Sequence, residues 1–303
     1  MVRRLELLIS STLVGQDVDT LLRKQLGLSG SMVRRVKFLE DGILVDGQRV
    51  NTRFFPKEGQ QLSVRLSDIQ PSMGTVPREG PLDIVYEDPD VIVLNKQAGV
   101  PVHIGLGHYD DTLGNFLMYH YQQTGQVCDF HPIHRLDRGT SGLLVVAKHP
   151  HAQERLKQQL HTPDFVRSYL AICEGNVSPE QGTICMPIGR KEGSLVAHCV
   201  RPDGKYACTH YHVQKSNGSY SLVELRLETG RTHQIRVHMA YLGHPLVGDF
   251  LYGTETPSLI SRPALHSWKL SFLHPIFHTL LSFQSPLPSD FLNFMKKNIS
   301  KNT

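Results

Sequence analysis

The residues best placed to do chemistry lie in His131-Pro-Ile-His-Arg-Leu-Asp-Arg-Gly-Thr-Ser-Gly-Leu-Leu-Val-Val-Ala147. One carboxylate, Asp137, stands between two cations, Arg135 and Arg138. Opposite charges beside a carboxylate favour its charged form. Gly139 and Gly142 let the chain bend sharply, and positive φ is expected at both. Leu143 to Ala147 is an unbroken apolar run, the pattern of a strand buried on both faces. An ionised Asp on a rigid turn at the edge of a sheet suits a nucleophile or a base. A purely structural turn, in which Asp137, Thr140 and Ser141 bond only their own backbone, explains the same residues.

Two later stretches hold further candidates. Phe165-Val-Arg-Ser-Tyr-Leu-Ala-Ile-Cys173 reads as a strand. Its Tyr169 can stack on a base or serve as a packing residue. Leu227-Glu-Thr-Gly-Arg-Thr-His-Gln-Ile-Arg-Val-His-Met-Ala-Tyr-Leu-Gly243 places Thr232 to cap a helix that ends at Gly243. On that helix Arg236 offers a planar fork of donors, suited to holding a carboxylate in one orientation or to bonding backbone carbonyls.

His134-Arg-Leu-Asp-Arg-Gly-Thr-Ser-Gly-Leu143 resembles the HRLDxxTSGL signature of the RluA-type pseudouridine synthases, which isomerise uridine in RNA to its C-glycoside. Arg167-Ser-Tyr-Leu-Ala171 resembles that family's Lys-x-Tyr-x-Ala, with Arg keeping the charge of Lys. The stretch from Thr229 to His238 is similar to its TGRxHQIRxH motif. Asn95-Lys-Gln-Ala-Gly99 stands where the family reads Asn-Lys-Pro-x-Gly, so Gln97 leaves that loop less rigid. There Lys96 is expected either on a phosphate or on the surface. The resemblance covers most of residues 82–285. It implies an α+β fold, a mixed and largely antiparallel sheet with a central catalytic cleft. It implies Asp137, Tyr169 and Arg236 as catalytic residues, with Arg236 paired to Asp137. Tyr169 would hold a base flipped out of the RNA stack, and Arg135 would brace the vacated space.

The elements ahead of these motifs form a smaller unit. Val18, Leu21, Leu22 and Leu26 give a helical stripe closed by Gly27. Ser29 or Ser31 caps a second helix with Met32, Val33 and Val36 on one face and Arg34, Arg35 and Lys37 on the others. Asp46-Gly47 predicts a hairpin turn, and 61–66 alternates as a closing strand. This arrangement resembles the ribosomal-protein-S-four-like (alpha-L) RNA-binding module, which implies that Arg34, Arg35 and Lys37 bind RNA phosphates. A solvated basic helix face is the plainer reading of the same charges. The expected organisation is this module over 1–70, a Pro- and Gly-rich linker over 71–81, and the catalytic domain over 82–303.

Composition agrees with this reading and excludes others. The 303 residues carry a formal net charge of +4, mildly basic, and 40% of them are hydrophobic, enough for a substantial core. No Walker loop, Rossmann fingerprint or zinc spacing is present, so no cofactor and no metal are expected. The pairs His233/His238 and His131/His134 lack the accompanying acid of a zinc motif. Five Cys, at 128, 173, 185, 199 and 208, suggest free thiols in a reducing cytosol. The N-terminus lacks the apolar run of a signal peptide, and no apolar stretch reaches membrane-spanning length. A cytoplasmic monomer acting on structured RNA follows, with large-subunit ribosomal RNA favoured and transfer RNA next. The competing readings are a catalytically silent RNA-binding protein and a hydrolase of nucleic-acid bases. A second acid in the matched motifs would favour hydrolysis, and none is present.

Overall fold

The computed structural model describes residues 2–67, 74–105, 107–255 and 260–299. The N-terminal part holds β1 (Arg4–Leu8), α1 (Val18–Lys24), α2 (Gly30–Val36), β2 (Ile43–Val45), β3 (Gln48–Arg49) and β4 (Gln61–Arg65). Its strands form one sheet in the order β1-β4-β2-β3. Asp17 caps α1 and Ser29 caps α2, each accepting a hydrogen bond from a backbone N–H three residues on. Asp46 and Gly47 both take positive φ, as a two-residue hairpin between right-twisted strands requires. Leu21, Leu22, Val33 and Val36 close a core against Ile43, Leu62 and Val64.

The remainder holds β5 (Ile84–Glu87), β6 (Val91–Lys96), α3 (Leu113–Gln123), β7 (His131–Pro132), β8 (Ser141–Ala147), α4 (Pro150–Gln159), β9 (Val166–Glu174) and β10 (Gln181–Cys185). It continues through β11 (Ile188–Arg190), β12 (His198–Val200), β13 (Cys208–Ser216), β14 (Tyr220–Leu227), α5 (Gln234–Tyr241), β15 (Leu265–Leu273), β16 (Leu280–Gln284) and α6 (Ser289–Asn298). The large sheet runs β10-β13-β14-β9-β15-β8-β6-β5, with β7 and β16 pairing beside β8 and β15. All its pairings are antiparallel except β8 with β15. The expected α+β class and mixed, largely antiparallel sheet are therefore present.

β8 is apolar from Leu143 to Ala147 because both faces of the sheet are covered. Leu144 and Val146 enter one core with Tyr169 and Ala171, while Leu143, Val145 and Ala147 enter another with Leu270 and Phe272. At the parallel seam Gly142 has φ +107°, and a Cβ there would lie 2.2 Å from the Ser267 carbonyl oxygen. Gly142→Ala should destabilise the fold by roughly 3 kcal/mol, from strain and clash together, as read by denaturant unfolding. Gly139 does not share that conformation. Its φ is not positive, and it is small instead because the Pro263 ring lies 3.0 Å from where a Cβ would sit.

The described part of the linker segment, 74–81, is not a free tether. Asn115 donates to the Val76 carbonyl at 2.7 Å, and the Arg78 N–H donates to the Asn115 carbonyl at 3.1 Å. Residues 71–73 lie outside the described residues. The small sheet is also clamped directly. Arg3 forks onto the fully buried Asp90 at 2.7 and 2.9 Å, and His149 bonds the same carboxylate at 2.9 Å.

Cys185 and Cys208 correct the expectation of free thiols. They face each other across β10 and β13 and are joined as a disulfide, whereas Cys128, Cys173 and Cys199 are not disulfide-bonded. Cross-strand register brings the two together, and their separation of 23 residues carries no local signal.

Candidate active site

The turn before β8, the strand β9 and the helix α5 converge at the middle of the large sheet. Asp137, Arg135, Tyr169 and Arg236 all line one cleft of about 230 Å³, with Leu136, Ile235 and Leu265 as apolar walls. Asp137 also opens onto a second groove of about 770 Å³, lined by Arg138, Phe250 and Arg262. It thus stands where the two meet. Arg34, Arg35 and Lys37 do not reach either cavity. Arg34 and Arg35 lie on the exposed face of α2, and Lys37 sits over the Phe38 ring at 4.7 Å.

The neighbours of Asp137 are not the two arginines beside it in sequence. The Arg138 Nε donates to the Gly99 carbonyl at 3.1 Å, and Arg135 is exposed. Asp137 faces Arg236 Nη1 at 3.4 Å and His233 Nε2 at 3.9 Å. The turn itself is closed by the Thr140 N–H donating to the Asp137 carbonyl at 3.0 Å.

Arg236 is held by Asp249, a residue to which the motifs give no role. Its Nε and Nη2 donate to the two oxygens of Asp249, each at 2.7 Å. Asp249 is fully buried, and one of its oxygens also accepts from the backbone N–H of Leu251 and Tyr252. Burial works to lower the Arg236 pKa, but the Asp249 carboxylate and then Asp137 outweigh it, so the guanidinium is locked in its charged form. The ring of Tyr252 lies 5.0 Å away. Arg236 is therefore a fixed cation with one N–H edge left for Asp137.

The helix that carries Arg236 starts differently from expectation. Thr232 is not its cap. His233 takes the N-cap position in a left-handed conformation, φ +56°, without a capping side-chain bond. Its Nδ1 bonds the Tyr252 hydroxyl at 2.8 Å, which turns Nε2 toward Asp137. Burial lowers the His233 pKa, opposed by Asp137. Gln234 then secures the helix start by accepting from Thr229 and the Arg231 N–H and donating to Cys208 and Thr209. The conformation of His233 serves its side-chain position, and Gln234 replaces the missing cap.

Lys96 is neither a phosphate contact nor a surface lysine. It is 1% exposed and donates to the carbonyls of Gln97, Val100 and Arg138 at 2.8–3.2 Å. Burial, with Arg262 nearby, pushes its pKa down to about 7, while Asp137 pulls it up. Three carbonyl acceptors call for three N–H donors, which only the ammonium supplies. Lys96 thereby pins the 97–100 loop to the Asp137 turn in place of the missing proline.

Tyr169 is buried, which raises its hydroxyl pKa, and it feels the charges of both Arg167 and Asp137. A neutral phenol on an apolar wall presents a flat face to a base and keeps its hydroxyl as a donor.

Among the described residues two groups have metal-ligand types close together, and both are already engaged. Asp88, Asp90 and His274 are tied to Tyr86, Arg3, His149 and one another. In the other, Cys208 is in the disulfide and His210 bonds Glu228 and Thr183. No described helix is long and apolar enough to cross a membrane.

A single carboxylate faced by a locked arginine, in a cleft walled by a tyrosine and aliphatic side chains, suits a flat, uncharged group. Comparisons with known proteins say which kind. The family described as RNA pseudouridylate synthase matches residues 90–241, and the chain belongs to it. It is an isomerase that converts uridine to pseudouridine in RNA. A Bacillus subtilis (strain 168) protein described as an uncharacterized RNA pseudouridine synthase is 41% identical over 272 residues, covering 90% of this chain and 96% of that one. The ribosomal large subunit pseudouridine synthase D of Vibrio cholerae is 40% identical over 265 residues, covering 83% and 82%. The solved structure of human RNA pseudouridylate synthase domain containing 1 has a TM-score of 0.57 at 30% identity, covering 69% of this chain and 84% of that one.

Proposed function

We propose that this chain isomerises uridines of large-subunit ribosomal RNA, with Asp137 as the group that attacks the nucleoside. The position of Asp137 carries the reading. It is the carboxylate of the cleft, it faces the fixed Arg236, and it opens onto a second groove in which the flanking strand can lie. The similarity to the Vibrio cholerae ribosomal large subunit pseudouridine synthase supports the ribosomal target. Transfer RNA is the alternative.

The target base leaves its stack and lies on Tyr169 in the cleft, and Arg135 occupies the gap in the RNA. Asp137 then attacks the ribose C1′, removes a sugar proton, or adds to C6 of the ring. The C1′–N1 bond breaks, the base turns over and C5 bonds to C1′. Asp137 leaves C1′ or C6 with the electron pair it brought, or returns the sugar proton, while the C5 proton leaves and N1 takes one up. Nothing is oxidised and nothing is released except that proton, so the reaction needs no electron acceptor. RNA labelled with tritium at uridine C5, taken from cells lacking the gene, should release tritium and no free uracil on incubation with the protein. Free uracil would instead identify a hydrolase, and silence with intact RNA binding would identify a binding protein.

On this reading residues 1–70 are an RNA-binding module, 71–81 its linker and 82–303 the catalytic domain, working as a cytoplasmic monomer. The exposed cations of α2 then meet phosphates. Replacing Arg34, Arg35 and Lys37 together by Gln should weaken RNA binding and reduce the slope of log K against log salt by roughly 2–3. Unchanged binding and slope would return those cations to a solvated face.

A further inference from the structure

Arg167 is a buried cation of the cleft that the mechanism leaves unused. It sits on β9 two residues before Tyr169, so both project from the same face of the strand. It is 4% exposed and lines the cleft with Asp137 and Tyr169. Its Nε and Nη2 are buried without a hydrogen-bond partner, and among the described residues no carboxylate pairs with it. The neighbours that face it are the Phe165 ring, 5.9 Å from its guanidinium carbon, and His134, which burial and then Arg167 itself push down to about 3. His134 is therefore neutral, and both its ring nitrogens are also unpartnered. Gly230 makes room for the guanidinium, because a Cβ there would lie 3.0 Å from Nη1.

A buried cation with unmade hydrogen bonds is costly, and removing it in favour of an apolar side chain generally stabilises a fold. A charge kept in that state at the wall of a cleft is poised for a ligand that brings the missing acceptor. Pseudouridine formation supplies one. If the C1′–N1 bond breaks first, its electron pair stays with the base as an anion shared among N1, O2 and O4. If Asp137 adds to C6, the ring pair moves out to O4 instead. In both cases the charge is returned as C5 bonds to C1′; the C5 proton then departs, and in the adduct Asp137 leaves C6 with the electron pair it brought. Resting on the isomerase reading, we propose that Arg167 is a catalytic residue whose buried guanidinium stabilises the negative charge that develops on a carbonyl oxygen of the turning base. The same group could meet the only other anionic oxygens of a flipped nucleotide, those of its phosphate. The cleft walls of Leu136, Tyr169, Ile235 and Leu265 suit the base better.

The test uses the whole protein with C5-tritiated RNA from cells lacking the gene, under single turnover with enzyme saturating. Arg167→Met should release tritium roughly 10²-fold more slowly than wild type, with RNA affinity unchanged within about twofold. The same variant should melt about 3 °C higher, because it removes an uncompensated buried charge. Arg167→Lys, which keeps the charge without the fork, should fall between the two in rate. A lower melting temperature in Arg167→Met would make Arg167 a structural residue and overturn the proposal. So would a rate equal to wild type. Weaker RNA binding with an unchanged saturated rate would assign Arg167 to a phosphate. Wild-type protein that releases no tritium would overturn the isomerase reading, whereas wild-type release with an equally fast Arg167→Met overturns only this one.

Discussion

Replacing Asp137 by Asn should abolish tritium release, a loss of about 10⁴-fold or more, while leaving the fold almost as stable as before. Asn keeps the shape of Asp but has neither the negative charge nor the basicity to attack the nucleoside. Stability should hardly change, because the carboxylate is one-fifth exposed and its contacts to Arg236 and His233 are long, at 3.4 and 3.9 Å. Partly solvated contacts of that kind contribute under about 1 kcal/mol. Melting curves and single-turnover rates on the same preparation separate the two effects. A variant that lost activity only by unfolding would show that the turn is structural and that the reacting group lies elsewhere.

Asp249→Asn should behave in the opposite sense on stability. Asp249 is fully buried and takes two donors of Arg236 at 2.7 Å, so the change leaves a guanidinium in the core with only the longer 3.4 Å contact to Asp137 as counter-charge. The expected cost is about 3–5 kcal/mol, with unfolding at lower denaturant. Activity should fall too, because an unanchored Arg236 no longer holds one edge toward Asp137. The pair of variants therefore separates two carboxylates on one arginine: loss of Asp249 costs the fold, and loss of Asp137 costs the chemistry. Equal destabilisation by both would contradict that division.

The two carboxylates also differ in how far the amino-acid sequence reveals them. The Asp137 turn and β8 are legible there because their signal is local: a polar, glycine-bearing turn running straight into an apolar strand. The caps of α1 and α2 and the Asp46-Gly47 hairpin are legible for the same reason. Asp249 is not, because its role depends on a contact that crosses from α5 to the loop after it. Lys96 escapes a sequence reading because a lysine's neighbours along the chain do not reveal three carbonyls converging from separate loops. At the start of α5, capping chemistry points to Thr232, yet His233 holds that place so that its ring can bridge Tyr252 and Asp137. Departures from local rules therefore gather around Asp137, as expected where a site constrains the backbone.

The most direct test of the central claim maps pseudouridine in total RNA from cells with the gene, cells without it, and cells without it that carry either the wild-type chain or Asp137→Asn. The account predicts that particular uridines of large-subunit ribosomal RNA lose their modification in the deleted cells. It also predicts that only the wild-type chain restores them. Restoration by Asp137→Asn, or a map that does not change on deletion, would contradict it.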